Sequence, residues 1–295
     1  MTKEKIFSLG VFSVPVWGWV LFGLSANGIL SCNLEQEVEL KLPAYESQYV
    51  VECYLEPGKP FQLLLTRSAA YFAPFPSDPQ EFLEETLVDS AEVTITHQGT
   101  VYTLNNGFFI QPDAFKLYNY GSFDLVPADY DSDFVLDISL PDGAHYTAKT
   151  RIRPPVAIDE LVAETTSPQD SLYRFLAYFS DPDPGTDDFF HYILNVGSLD
   201  SVPYHNFVIT DEFAQEDQLA VGTGPSFERG DTLIATICHI DQAYYDFFTS
   251  LLMAEQSNGN PFAQPSSILS NIEGEPAALG IFTGINCDRD TLIIP

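Results

Sequence analysis

Residues 48–67 read QYVVECYLEPGKPFQLLLTR and give the first indication of the fold. Apolar and polar side chains alternate over the first seven residues, as they do in a strand that buries one face. The segment GKP at 58–60 is typical of a turn, and FQLLLTR at 61–67 resumes the apolar run. The stretch therefore predicts two successive β-strands.

Similar short runs follow, separated by turn-forming pieces such as NNG at 105–107 and PDG at 141–143. They are AEVTIT at 91–96, VYTL at 101–104, DFVLDISL at 133–140 and YTAKTRI at 146–152. Pro154 and Pro155 have no backbone N–H for a sheet, so we place a domain boundary after residue 155. The pattern predicts a mainly β protein: an immunoglobulin- or transthyretin-like β-sandwich over 47–155, then a second β-rich domain over 156–295 with one amphipathic helix.

That helix is predicted near residues 241–255. TLIATICHI at 232–240 is typical of a strand, and Asp241 follows it as a residue that can cap a helix. In the segment after Asp241 the large apolar side chains recur at helical spacing, and we interpret them as core packing. ALGIFTG at 278–284 and TLIIP at 291–295 predict two final strands, whereas the polar stretch 211–230 predicts a long surface loop.

The charge balance excludes one class of function. The chain has 12 Lys and Arg against 42 Asp and Glu, for a formal net charge of −30 at pH 7. A protein that binds nucleic acid needs cations to displace counterions from the phosphates. We therefore expect no nucleic-acid partner.

The first 32 residues have the form of a lipoprotein export signal. Lys3 and Lys5 precede an apolar run, and no basic stop-transfer cluster follows it. The segment Ile29, Leu30, Ser31, Cys32 resembles a bacterial lipobox, in which the cysteine at the cleavage point is acylated, for example with palmitate. We predict a signal peptide at 1–31, a lipid on Cys32 that anchors the protein to a membrane, and an acidic tether at 32–46. A retained transmembrane helix is the alternative.

Three other cysteines are present, so that one thiol must stay free if a pair forms. They are Cys53, Cys238 and Cys287. Cys53 lies in an apolar strand pattern, and our hypothesis is therefore a disulfide between Cys238 and Cys287. Three buried thiols are the alternative.

No local motif indicates catalysis. The sequence has no GxSxG elbow, no glycine-rich phosphate loop, no CxxC and no HExxH, and we expect neither an enzyme nor a cofactor. Carboxylate oxygens on flexible turns are the ligands that calcium prefers. One calcium candidate is the loop that carries Asp181, Asp183, Asp187 and Asp188. A second is Asp129, Asp131 and Asp133, and solvated loops are the alternative in both places.

Aromatic residues in weakly patterned segments are candidates for contact with a partner or ligand. If exposed, they offer a large contact area at low entropic cost. The alternative is that these segments fold back over the ends of the sandwich. The candidate residues are Tyr71, Phe72, Phe75, Phe115, Tyr118 and Tyr120.

Several segments together resemble a family of Bacteroidota lipoproteins known as domain of unknown function 4249. The segments are KLPAYESQYVVECYLEPGKPFQLLLTRSAAYF, YTAKTRIRPPVAIDEL, RGDTLIATICHIDQAYYDFFTSLL, NPFAQPSSILSNIEG and LGIFTGINCDRDTLII. Their order and spacing carry the resemblance, which spans the chain after Cys32. The sequence departs from the family pattern at Cys53, usually glycine, and at Glu275-Pro276, where the family continues with Gly-Gly.

The resemblance implies a location and a partner, since the family has no assigned active site. Such proteins are outer-membrane lipoproteins that face the cell exterior and are often encoded with TonB-dependent, SusC-like barrel transporters. The expected function is a non-enzymatic accessory that captures a small nutrient, or a peptide or glycan ligand, for such a transporter. A calcium-dependent adhesin module or a surface hydrolase is the alternative.

Overall fold

The structure is a computed structural model, and it describes residues 47–69, 76, 78–111, 116–167, 169–183, 185–213, 218–257 and 267–295. These residues lie within one compact unit, residues 46–295. The predicted signal peptide, Cys32 and the tether lie outside the described residues. No helix in the described ranges has both the length and the apolar character needed to cross a membrane.

The elements confirm a mainly β fold. In the described ranges they are β1 Tyr49–Leu55, β2 Pro60–Arg67, α1 Pro79–Thr86, β3 Glu92–His97, β4 Thr100–Gln111, β5 Lys116–Leu125, β6 Phe134–Ser139, β7 His145–Thr150, β8 Ile158–Glu164, β9 Arg174–Ser180, β10 Phe189–Val196, β11 His205–Thr210, a 3₁₀ turn Asp211–Phe213, β12 Gln218–Gly222, β13 Thr232–Ile240, α2 Gln242–Ser257, β14 Glu273–Glu275, β15 Leu279–Gly284 and β16 Asn286–Ile293.

Nine strands form the largest sheet, in the order β14-β7-β6-β3-β4-β5-β2-β1-β15. The predicted pair β1 and β2 lies near one end, and β1 also pairs in parallel with β15 from the end of the chain. At Gly280 of β15 the backbone has φ +120°, and a Cβ there would lie 1.8 Å from the Val51 carbonyl oxygen. Only glycine therefore allows the two strands to approach this closely.

The large sheet folds over its own core and gives a sandwich-like layer pair. The rings of Tyr49 in β1 and Tyr146 in β7 lie 5.7 Å apart, although their strands are near opposite ends of the sheet order. Phe61 of β2 likewise lies 4.6 Å from Tyr102 of β4. Alternating buried side chains from both layers fill the space between them.

Two smaller sheets enclose a second core. Their strand orders are β11-β10-β13-β16 and β12-β9-β8. Phe179 of β9 and Phe190 of β10 face each other across this core, with ring centroids 5.1 Å apart. The other face of β10 and β13 packs against α2, so side chains on both faces of β13 are buried. This explains the nearly continuous apolar run of TLIATICHI.

Asp241 joins three parts of the fold, as well as beginning the predicted helix. Its Oδ1 accepts a hydrogen bond from the Tyr244 backbone N–H at 2.8 Å, which caps α2. The Thr150 hydroxyl at the end of β7 donates to Oδ2 at 2.7 Å, and the Thr283 hydroxyl of β15 donates to Oδ1 at 3.2 Å. Thr150 and Thr283 are buried and Asp241 is partly buried, so water competes less for these bonds than for bonds on the surface.

Some segments differ from the sequence-based expectation. The stretch 211–230 contains β12, which pairs with β9, rather than only a loop. The weakly patterned residues 105–111 and 116–125 belong to β4 and β5, whose register shifts between Asn106 and Phe109. A bulge of this kind interrupts the alternation of side chains, which hides a strand in the sequence. Helix α1 was not predicted, although the Asp78 side chain accepts from the Gln80 N–H and begins it.

The expected boundary after residue 155 stays a prediction. Strands β14 and β15 come from the predicted second domain, and both pair with strands of the predicted first domain. The two predicted domains are therefore linked by shared sheet pairing as well as by the chain.

Replacing Asp241 with alanine is expected to lower the free energy of unfolding by about 3 kcal/mol, since the variant loses a helix cap and two hydroxyl hydrogen bonds. Urea unfolding followed by circular dichroism measures this loss. Asp246→Ala removes a carboxylate of the same helix that makes no hydrogen bond in the described part of the chain. An equal effect of the two substitutions would contradict the role given to Asp241.

The cysteines give a second test. The structure joins Cys238 to Cys287, the pair of our hypothesis, and leaves Cys53 as a buried free thiol. Burial raises the pKa of the Cys53 thiol, so that it is unreactive in the folded chain. In a Cys32→Ala chain we expect Ellman's reagent to detect one thiol after denaturation without reductant, and none in the native protein. Cys53→Ala in the same background should give no signal, whereas three thiols before reduction would contradict the disulfide.

Candidate functional site

A cavity of about 620 Å³ lies where the nine-stranded sheet meets the four-stranded sheet and α2. The large sheet contributes β1, β2 and β5 to its lining, and the smaller sheet contributes β10, β11, β13 and β16. The lining residues are Tyr54, Glu56, Lys59, Pro60, Gln62, Lys116, Tyr118, His191, Ile193, Asn206, Thr236, Cys238, Tyr244, Ile285, Cys287 and Arg289. The size suits a small molecule.

Three cationic side chains line this cavity, in a chain that has few. Lys116 forms an ion pair with Glu52 and lies 4.6 Å from the centre of the Tyr54 ring. The Arg289 Nε donates to the Thr236 hydroxyl at 3.0 Å. In the described ranges neither Lys59 nor Arg289 belongs to an ion pair. Among the described residues, the lining therefore holds three cations against one carboxylate, Glu56, and its charge is net positive.

Tyrosines form an aromatic wall beside these cations. Burial raises the pKa of Tyr118 to about 12, and it also raises the pKa of Tyr54 and Tyr244 above their usual range. The three phenols are therefore neutral at physiological pH. They add apolar ring surface to the cavity without adding negative charge.

A neutral histidine connects two elements at the cavity. His191 of β10 is buried, and desolvation lowers the pKa of its imidazole. Its Nε2 lies 2.6 Å from the Asn206 Oδ1, so we assign the proton to Nε2. Nδ1 then accepts from the Tyr244 hydroxyl at 3.0 Å. This chain of bonds fixes β11 and α2 on the two sides of β10.

Among the described residues, the cavity lining contains one carboxylate and one disulfide. A glycosidase needs two carboxyl groups about 5–10 Å apart on either side of the scissile bond. Glu56 is the one carboxylate among the described lining residues. The Cys238–Cys287 disulfide lies in the wall and holds β13 to β16 at this point.

Only two of the four aspartates in the first calcium candidate belong to a group of neighbouring carboxylates. Asp181 and Asp188 offer carboxylate oxygens within 4.8 Å of each other and of Asp211, whereas Asp183 and Asp187 are not in this group. Asp188 is buried, its Oδ1 lies 3.1 Å from the His239 Nε2, and its Oδ2 has no hydrogen-bond partner in the described structure. Asp211 lies outside the loop, so no local spacing pattern in the sequence includes it. A calcium site here stays a prediction.

In the second calcium candidate, Asp133 and Asp129 interact with other groups of the protein. Lys149 and Arg151 both pair with Asp133, and their hydrogen bonds lower the pKa of its carboxyl group. Asp129 accepts backbone hydrogen bonds from Asp131 and Ser132. The loop therefore satisfies these two carboxylates without a metal ion.

The predicted aromatic contacts divide into three groups. Tyr71, Phe72, Phe75 and Phe115 lie outside the described residues. Tyr118 lines the cavity. Tyr120 has no exposed surface, because its ring is in the core and its hydroxyl accepts from the Ala91 N–H at 2.9 Å. Tyr120 was a contact candidate only if exposed. Because it is buried, it has no surface to offer a partner or ligand.

Sequence reasoning missed most of the cavity. Lys59, Arg289, His191 and Asn206 lie on four separate segments, and no spacing along the chain relates them. One feature of the sequence could have pointed to the cavity, which is the small number of cations. Only 12 Lys and Arg stand against 42 Asp and Glu, so a place where several cations lie together is a candidate binding site.

We expect stability to fall between pH 7 and pH 5.5. Desolvation lowers the pKa of the buried His191 and of the partly buried His205 in the folded chain, so the unfolded chain binds protons first, near pH 6.5. The stabilising effect of the two neutral imidazoles is therefore complete above about pH 6.5 and is lost as pH falls, by up to about 1.4 kcal/mol per pH unit for His191. The contribution of His205 is smaller, because solvent screens its partly exposed ring. Urea unfolding at several pH values measures the slope.

His191→Gln should reduce this slope, and His145→Gln is the matched control because the His145 side chain is half exposed. A slope that is unchanged in His191→Gln would contradict the assignment of a buried neutral His191.

Comparison with known proteins identifies one matching family. No curated protein matches the chain. The model of one protein family, described as a domain of unknown function (DUF4249), matches residues 35–291, which include every strand of the described structure except the end of β16. The chain therefore belongs to the family of the domain of unknown function DUF4249.

Proposed function

We propose that this protein is a lipid-anchored, non-enzymatic subunit at the outer membrane that captures a small nutrient for a TonB-dependent, SusC-like barrel transporter. The observation that carries the proposal is the cavity at the junction of the two sheets, with its positive charge and aromatic wall. A lining with ring surface, hydrogen-bond donors and one carboxylate is suited to hold a ligand.

The anchor in this proposal is Cys32. Acylation of Cys32 after removal of residues 1–31 would attach acyl chains to the new N-terminus. The acidic tether 32–46 then separates the membrane from the folded part, and the negative charge of the chain opposes contact with anionic lipid. The protein would thus face the cell exterior beside the transporter.

Exposed aromatic side chains offer a surface for the transporter. Phe108 of β4 is 72 % exposed and Phe123 of β5 is 92 % exposed. The ring of Phe109 lies 6.5 Å from that of Phe123. Large aromatic side chains on the surface are typical of protein contacts, where their burial contributes most of the binding free energy. We name Phe108, Phe109 and Phe123 the β4–β5 aromatic surface.

Affinity purification of the tagged protein from detergent-solubilised outer membranes tests the proposal. We expect a barrel transporter in near-equal amount with the wild-type chain. Phe123→Ser should lower the yield of the barrel about tenfold, because the loss of one central aromatic contact costs at least about 1.4 kcal/mol. Mass spectrometry of the eluate measures both proteins.

Two further variants serve as controls. Val202→Ser changes a side chain that is 90 % exposed and lies on the segment after β10, and it should leave the barrel yield unchanged. Cys32→Ala should abolish incorporation of labelled palmitate and release the protein from the membrane fraction. Purification of the wild-type protein without any barrel would contradict the proposed function.

A further inference from the structure

The distribution of cations in this chain is uneven. The sequence has 12 Lys and Arg against 42 Asp and Glu. Yet Lys59, Lys116 and Arg289 line one cavity, in which Glu56 is the one carboxylate among the described residues. An acidic surface keeps a protein soluble without any such cluster. The local excess of positive charge inside the cavity therefore needs its own explanation.

We propose that this cavity binds a small organic carboxylate with an aromatic or apolar body, and that Lys59, Lys116 and Arg289 hold its carboxylate groups. The inference rests on the proposed function of ligand capture and names the chemical class of the ligand. The three cations differ in the residues that surround them in the cavity.

Arg289 is positioned to receive a carboxylate. Its Nε is held by the Thr236 hydroxyl at 3.0 Å, and Thr236 is the residue that pairs with it across β13 and β16. The terminal nitrogens of the guanidinium have no ion-pair partner in the described ranges. An arginine fixed in this way presents the planar fork that binds a carboxylate through two parallel hydrogen bonds.

The two lysines differ in their neighbours. Lys116 is neutralised in part by Glu52, and it lies over the rings of Tyr54 and Tyr118 at 4.6 and 5.6 Å. Lys59 is exposed in the turn between β1 and β2, with no ion pair among the described residues. A ligand carboxylate would therefore meet one lysine at the aromatic wall and one at the rim of the cavity.

The remaining wall fits the body of such a ligand. The rings of Tyr54 and Tyr118 provide apolar area, and burial keeps their hydroxyls protonated, so that they do not repel an anion. The neutral His191 likewise adds no charge. An aromatic ring stacked on these side chains would bury surface while its carboxylate groups reach the cations.

Calorimetric titration of the purified acylated protein tests the inference with matched probes. The probes are phenylacetate, isophthalate and trimesate, which carry one, two and three carboxylates, and their uncharged amides. We expect affinity to rise with the number of carboxylates and isophthalate to bind at least about tenfold more tightly than isophthalamide. Added NaCl should weaken the binding of the acids alone. Equal binding of acid and amide, or binding of neither, would overturn the inference.

Substitutions of single cations test whether the carboxylate binds in this cavity. Arg289→Gln and Lys59→Gln should each weaken isophthalate binding about tenfold, since each removes a charge-assisted hydrogen bond. Arg174→Gln and Lys149→Gln remove exposed cations of β9 and β7 that do not line the cavity, and they should leave the affinity unchanged. An equal effect of all four variants would show that only the overall charge matters and would overturn the site. Tighter binding of inorganic phosphate than of isophthalate would overturn the carboxylate class.

The purification experiment separates this inference from the proposed function. If the Lys59→Gln, Arg289→Gln double variant and the wild type both co-purify with the barrel but neither binds a carboxylate, the inference fails and the accessory role stands. If carboxylates bind as expected and no barrel co-purifies, the inference stands and the transporter role fails. Circular dichroism and thermal unfolding of each variant establish that it is folded.

Discussion

The carboxylate of Asp241 is the interaction on which the arrangement of the sheets depends. It caps α2 and accepts hydrogen bonds from Thr150 of β7 and Thr283 of β15, so one partly buried group connects the helix with two strands from opposite sides of the large sheet order. The Gly284 N–H completes this contact by donating to the Thr150 hydroxyl at 3.2 Å. Because α2 also covers the outer face of β10 and β13, the position of this carboxylate sets how the four-stranded sheet lies against the nine-stranded sheet.

The cavity is a consequence of that arrangement. Its walls come from β1, β2 and β5 on one side and from β10, β11, β13 and β16 on the other, and α2 closes it with Tyr244. Both sheets are held at this place, the larger by the parallel pairing of β1 with β15 and the smaller by the Cys238–Cys287 disulfide. Of the three cations that line the cavity, Lys59 and Arg289 are exposed, whereas Lys116 is partly buried against the tyrosine rings. Salt in the solvent therefore screens the charges of the first two more than that of the third.

Prediction succeeded where a local pattern carried the signal. The hairpin at 48–67 and the strand and helix around Asp241 were correct, because alternation, helical spacing and a capping residue act within a few neighbouring positions. It failed for β4 and β5, where a register shift breaks the alternation, and for β12, which is too short to stand out in a polar stretch. Tyr120, a candidate for contact only if exposed, is buried in the core.

The sequence by itself determined the mainly β class, the long helix after Asp241 and the membership of a family. These follow from residue types and short spacings. The tertiary structure alone decided that β15 joins β1, that Asp211 lies beside Asp181 and Asp188, and that Lys59 and Arg289 line one cavity. Those contacts join residues far apart in the chain. Their geometry depends on how the sheets pack around the buried cores, and the spacing of neighbouring residues does not predict that packing.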